Sequence, residues 1–159
     1  MARRNITMNP EEIHRFLATP RTLQVVTIGK DGHPHAAPMW YVLRDDEIWF
    51  RSFTKSQKIV NLMRDPRVTV LAEDGFAYSE LRGVMIQGRA QLSSDPALIV
   101  GLYAEIAGRY PMVDDEVVED LDPAAIETSF GRFAEKNTAV RVVPGRIISW
   151  DHRKIGGGY

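Results

Sequence analysis

Apolar residues in this chain recur with two periods, and the switches between them mark out the elements. Ile13, Phe16 and Leu17 lie at helical spacing behind Asn9-Pro10-Glu11-Glu12. Asn there can cap, Pro fits the first turn, two acids complement the helix dipole, and Pro20 bounds the end. From Leu23 the pattern turns to β. Leu23 to Ile28 is branched, Gly29-Lys30-Asp31-Gly32 turns, His33 to Leu43 runs extended, Arg44-Asp45-Asp46 turns, and Glu47 to Arg51 is extended again. Three strands with such short connections predict an antiparallel meander.

A helix follows over about Gln57 to Arg64, with Ile59, Leu62 and Met63 as its buried side, stopped by Asp65-Pro66. Arg67 to Glu73 reads as a fourth strand and Leu81 to Leu92 as a fifth, in which Gly83 and Gly88 predict bends or close backbone approach. Asp95-Pro96 opens a helix carrying Leu98, Ile99, Leu102, Tyr103 and Ile106 on one face, to about Gly108. Asp114 to Asp122 reads as a solvated acidic loop or short helix. Pro123 to Glu135 is helical, with Ile126, Phe130 and Phe133 on one side, and Thr138 to Trp150 is a last strand bent at Pro144-Gly145. The order (helix, three strands, helix, two strands, two helices, strand) predicts a mainly β protein with α elements. Its helices pack on an antiparallel sheet or barrel, unlike a parallel nucleotide-binding fold.

Composition changes this picture only by exclusion. The 159 residues suit one domain, residues 1–159, able to bury a core without staples. A formal charge of −1 gives no global pull toward nucleic acid or acidic lipid, so anion binding must be local. The lack of cysteine removes thiolate chemistry and Cys-based metal sites. No apolar run reaches the roughly 18 residues of a membrane span. Met1 to Asn5 carries Arg3 and Arg4 without a signal-peptide core behind them, which reads as cytoplasmic.

The chemistry-bearing stretch is Ile48 to Leu62, which passes from an apolar strand through hydroxyl and cationic side chains into a helix start. A helix N-terminus offers unpaired N–H groups and partial positive charge, to which Arg51, Lys55 and Lys58 add full charges. That combination predicts a phosphate-bearing cofactor. No Gly-x-Ser-x-Gly elbow, Walker loop or Gly-x-Gly-x-x-Gly after a strand competes with it. His33 and His35 share a strand face but lack a third ligand, so no metal is assigned. Trp40, Tyr41, Trp49, Phe76 and Tyr78 suit a pocket for a flat ring.

Four segments resemble the pyridoxamine-phosphate-oxidase-like superfamily of split β-barrel flavin proteins, and within it the actinobacterial branch that uses the deazaflavin F420. They are Gly32-His33-Pro34-His35-Ala36-Ala37-Pro38-Met39-Trp40, Trp49-Phe50-Arg51-Ser52 with Ser56-Gln57-Lys58, Leu81 to Ala90, and Ser149-Trp150-Asp151-His152-Arg153-Lys154. The resemblance implies an antiparallel split barrel with flanking helices, forming a homodimer with cofactor sites at the subunit interface. It also implies that Arg51, Ser52, Ser56 and Lys58 hold the cofactor phosphate, with Gln57 beside them and Lys55 on further acidic groups of the tail. Met39 and Trp40 lie against the ring, and Trp150, Arg153 and Lys154 close the site, from the same subunit or from the partner.

Gln57 stands where the vitamin oxidases have arginine and Gly83 where they have glutamine, which argues for another activity. The activity implied is hydride transfer from reduced F420 to an unsaturated or quinone-like small molecule. The alternatives are an FMN-dependent oxidoreductase and a non-catalytic flavin, deazaflavin or haem binder. No catalytic acid or base can be named.

Overall fold

The computed structural model describes residues 5–112 and 123–155 and contains one seven-stranded antiparallel sheet, flanked by helices. Helix α1 (Pro10–Ala18) starts in a capping box: Glu12 N–H donates to Asn9 Oδ1 at 2.9 Å, and Asn9 N–H donates to Glu12 Oε2 at 2.7 Å. Strands β1 (Leu23–Ile28) and β2 (Pro34–Met39) form a hairpin. Strands β3 (Val42–Arg44) and β4 (Glu47–Phe53) form another, turned by Asp45 and Asp46 at positive φ. Then come α2 (Gln57–Arg64), β5 (Arg67–Asp74), β6 (Arg82–Ser93), α3 (Pro96–Ala107), α4 (Pro123–Ala134) and β7 (Asn137–Asp151). The acidic stretch Asp114 to Asp122 lies outside the described residues.

The strand order is β2-β1-β5-β6-β7-β4-β3, and it overturns the expected meander. The extended run from His33 to Leu43 breaks at Trp40-Tyr41, so β2 is one edge of the sheet and β3 the other. Only those two residues join the edges. Three Cα steps cover about 11 Å at full stretch, so the sheet must curl until its edges meet. The result is a split barrel. Between-strand order depends on long-range pairing, which alternation along one strand does not encode.

The inner face of the curl carries Leu23, Val25, Ile48, Phe50, Val70, Val84, Val140 and Val142, capped by Phe16 and Leu17 of α1 and by Ile59 and Leu62 of α2. A second core joins α3 to the outer face through Ile99, Leu102, Tyr103 and Ile106 against Val42 and Ala139. Met63, expected inside, is exposed, and Asn61 is buried in its stead. Phe133 likewise leaves half its surface exposed, although its ring lies 6.3 Å from that of Tyr103.

The glycines of β6 both mark close approach. A Cβ on Gly83 would meet the Trp150 ring at 2.3 Å, and one on Gly88 would meet the Val143 carbonyl oxygen at 2.2 Å. At Gly88 the β6–β7 register shifts opposite Pro144, which lacks a ladder donor.

Candidate functional site

Strand β4 and helix α2 meet at the residues that the sequence singles out. Side chains alternate along β4, so Ile48, Phe50 and Ser52 face the barrel interior, while Trp49 and Arg51 face α3. Ser52 is buried; its Oγ lies 3.1 Å from Ser56 Oγ and accepts from Lys58 Nζ at 3.1 Å. The structure therefore brings Ser52, Ser56 and Lys58 into one cluster at the start of α2.

Three features make this cluster receptive to an anion. Ser56 occupies the N-cap position of α2 but makes no capping hydrogen bond, and the first turn carries no acid. The helix thus keeps unpaired N–H groups at its positive end. Lys58 is half-buried and takes part in no ion pair among the described residues. Burial pushes its pKa down from the usual lysine value, the signature of a charge lacking compensation within the fold.

Gln57 is set by an internal network. Its Nε2 donates to Asn61 Oδ1 at 2.8 Å, and Asn61 Nδ2 donates to Thr27 Oγ1 at 3.0 Å. Asn61 and Thr27 are fully buried, so α2 is pinned to β1 by a satisfied polar pair. Alternation along β1 places Thr27 on the inner face with Leu23 and Val25, but hydrophobic periodicity misses its partner Asn61, a polar residue that it scores as outward-facing. Gln57 and His35 line an open cleft of about 660 Å³ beside the β1–β2 turn. His35 stands opposite Thr27 on β2, and its Nδ1 is buried without a hydrogen-bond partner. His33 is exposed and pairs with Asp31, and no group of metal-ligating side chains occurs among the described residues.

The other site residues are placed differently. Lys55 is exposed on the loop before α2. Arg51 lies on the opposite sheet face from Ser52, with its guanidinium carbon 3.4 Å from the Tyr103 ring centroid. Met39 and Trp40 line, with Arg51, Pro38, Thr22 and Ile106, a cleft of about 290 Å³ at the seam between the sheet edges. Trp40 is stacked on Tyr110 at 5.0 Å. Trp150 packs over Gly83.

Arg153 and Lys154 are engaged within the chain. Arg153 forks onto Asp151, and Lys154 Nζ donates to Thr7 O at 2.7 Å and Glu12 Oε2 at 2.6 Å. These contacts fasten the C-terminal turn to the start of α1, and none of them involves the Ser52–Lys58 cluster.

Curled sheet, seam and helix start together define a split-barrel domain. The sequence matches the Pyridoxamine 5'-phosphate oxidase family over residues 9–130, and the chain belongs to that family. Among solved structures it is similar to the conserved hypothetical protein Rv2991 from Mycobacterium tuberculosis, at 38% identity and TM-score 0.83, covering 100% of this chain and 94% of that one. An F420 reductase shares the fold at 23% identity and TM-score 0.65, covering 88% and 98% of the two chains. So does the FAD binding protein from Mycobacterium smegmatis, at 18% identity and TM-score 0.56, covering 89% and 95%. No curated protein matches the chain. No helix among the described residues is long and apolar enough to cross a membrane.

Proposed function

We propose that the protein is an F420-dependent reductase that passes a hydride from the reduced deazaflavin to an unsaturated or quinone-like small molecule, working as a homodimer with its cofactor sites at the subunit interface. The observation that carries this reading is the uncompensated cluster at α2, where Ser52, Ser56, Lys58 and the uncapped N–H groups converge. A phosphate there gains charge-assisted hydrogen bonds to Lys58 and the helix end without displacing a carboxylate. The similarity to an F420 reductase supports the deazaflavin over other phosphorylated rings. Gln57, neutral and held by Asn61, leaves one cationic side chain within the cluster.

When bound, the deazaflavin supplies the hydride; the chain supplies binding, orientation and exclusion of water. Ser52, Ser56 and Lys58 would hold the phosphate, and the aromatic seam at Trp40 would limit water around the ring.

FMN is the second reading, and one observation favours it. Arg51 faces away and Lys55 stands in solvent, so the cluster as built serves a single phosphate. Titrating the purified protein with F420 and with FMN decides between them: tight FMN binding with no response to F420 reverses the choice of cofactor. Replacing Lys58 with alanine is expected to weaken cofactor binding about tenfold or more with little change in melting temperature. Unchanged affinity would refute the site. Binding without turnover across a panel of enones and quinones would make the protein a carrier.

A further inference from the structure

The cluster at the start of α2 holds a single full positive charge, and the residue beside it keeps the count at one. Lys58, whose Nζ donates to Ser52 Oγ at 3.1 Å, is the cation. Gln57, its neighbour in the first turn of α2, is neutral, and that turn carries no acid. Lys55 stands in solvent on the loop, where its charge is screened, and Arg51 projects from the opposite face of β4.

Gln57 is held on its far side by groups that the fold has already fixed. Its Nε2 donates to Asn61 Oδ1 at 2.8 Å, and Asn61 is oriented in turn by donating through Nδ2 to Thr27 Oγ1 at 3.0 Å. Asn61 and Thr27 are fully buried. One of the two Gln57 N–H groups is thus committed inward, and the side chain brings neither a charge nor a fork of donors to an anion. Lys58 is half-buried, so an anion paired with it sheds part of its water. Any negative charge beyond the one that Lys58 matches is desolvated there without a partner, which is the costly case.

Phosphate esters differ in that second charge. A monoester such as FMN carries close to two negative charges at neutral pH, because its second ionisation falls near pH 6, roughly. A diester, the form in which F420 carries its phosphate, keeps one.

We propose that Gln57 makes the α2 cluster selective for a phosphodiester over a phosphomonoester, so that the cofactor is chosen at its phosphate as well as at its ring. This rests on the reading of the cluster as the phosphate site. Ser52, Ser56 and the uncapped helix N–H groups are neutral donors for the two unesterified oxygens, and Lys58 supplies the matching charge. Gln57 also lines the open cleft of about 660 Å³ beside the β1–β2 turn, so a second ester arm has room to leave the cluster.

The test titrates the cofactor-free full chain with three ligands: a ribityl compound without phosphate, its 5'-phosphate, and the methyl ester of that phosphate. It is run in both the flavin and the 5-deazaflavin series at pH 8, where the monoester is doubly charged. In whichever series binds, the methyl ester is expected to bind about fivefold or more tighter than the monoester. Gln57→Arg, which keeps a donor for Asn61 Oδ1 and adds a charge, should invert that preference. Gln57→Met, neutral and unable to donate, should retain it. A role for Gln57 in folding alone would move all affinities together and leave the ratio unchanged in Gln57→Arg.

A monoester as tight as its methyl ester, with both tighter than the ribityl compound, would overturn the proposal and leave the phosphate site standing. An unchanged ratio in Gln57→Arg would also overturn it. Equal affinities for all three ligands, or no binding in either series, would remove the phosphate site and the proposal with it. A diester preference confined to the flavin series would uphold the proposal and refute the F420 reading. Should Gln57→Arg not fold, the ester comparison on the parent and on Gln57→Met decides.

Discussion

The indole of Trp150 fills the space that a side chain on Gly83 would occupy. The two residues pair across β6 and β7, and a Cβ on Gly83 would fall 2.3 Å from the ring. Gly83→Ala is therefore expected to cost about 1–3 kcal/mol through overpacking, and to shift Trp fluorescence as Trp150 moves toward solvent. In the Trp150→Ala background the same substitution should cost far less. Additive costs in a denaturant-unfolding cycle would show that the two residues do not share that space.

Asn61→Ala is expected to destabilise the chain by about 2–3 kcal/mol, since it strands the buried Thr27 hydroxyl and frees Gln57. A urea midpoint within error of the parent would mean that water replaces the amide. Cofactor binding should weaken along with stability, because α2 is pinned to the sheet through this residue.

Tyr41 predicts the alkaline limit of the fold. Its hydroxyl donates to Leu17 O at 2.8 Å, and burial pushes its pKa from 10.0 up to about 12. A phenol with a raised folded pKa favours the native state fully below pH 10.0, and that contribution drains away as pH rises through about 12. Tyr41→Phe should lower stability at neutral pH and flatten the fall across that window, as read by thermal melts at stepped pH. An equally steep fall in the variant would assign the alkaline transition to another group.

Lys154→Met should loosen the start of α1, giving faster amide exchange around Thr7 to Glu12 and a small drop in melting temperature. Cofactor affinity should hold. A marked loss of affinity would show instead that the C-terminal turn closes the site, as the family resemblance implies.

Much of the local structure is written in short signals. Asn9-Pro10 and Asp95-Pro96 place two helix starts, Asp65-Pro66 ends α2, and Gly88 with Pro144 marks the irregular pairing of β6 and β7. Strand order is not so written, because β2 and β3 look like one extended run until the pairing partners are known. Within the site, the start of α2 is legible as residue types in sequence. The division of labour between Arg51 and Ser52 follows from strand alternation, which sends adjacent side chains to opposite faces, and reading the stretch as one basic loop conceals it. Asn61 escapes pattern reading altogether, since a polar residue inside is justified only by a partner 34 positions away.

The join at Trp40-Tyr41 also limits how the molecule can breathe. Tyr41 is fully buried and tied to α1, and Trp40 is stacked on Tyr110, so the strap between the two sheet edges has no slack. Prising the barrel apart would uproot both rings at once. A guest larger than the seam must be admitted by displacing the α3 cover, whose Ile106 forms one wall, and a bulkier residue at that position would narrow the range of guests without touching the barrel.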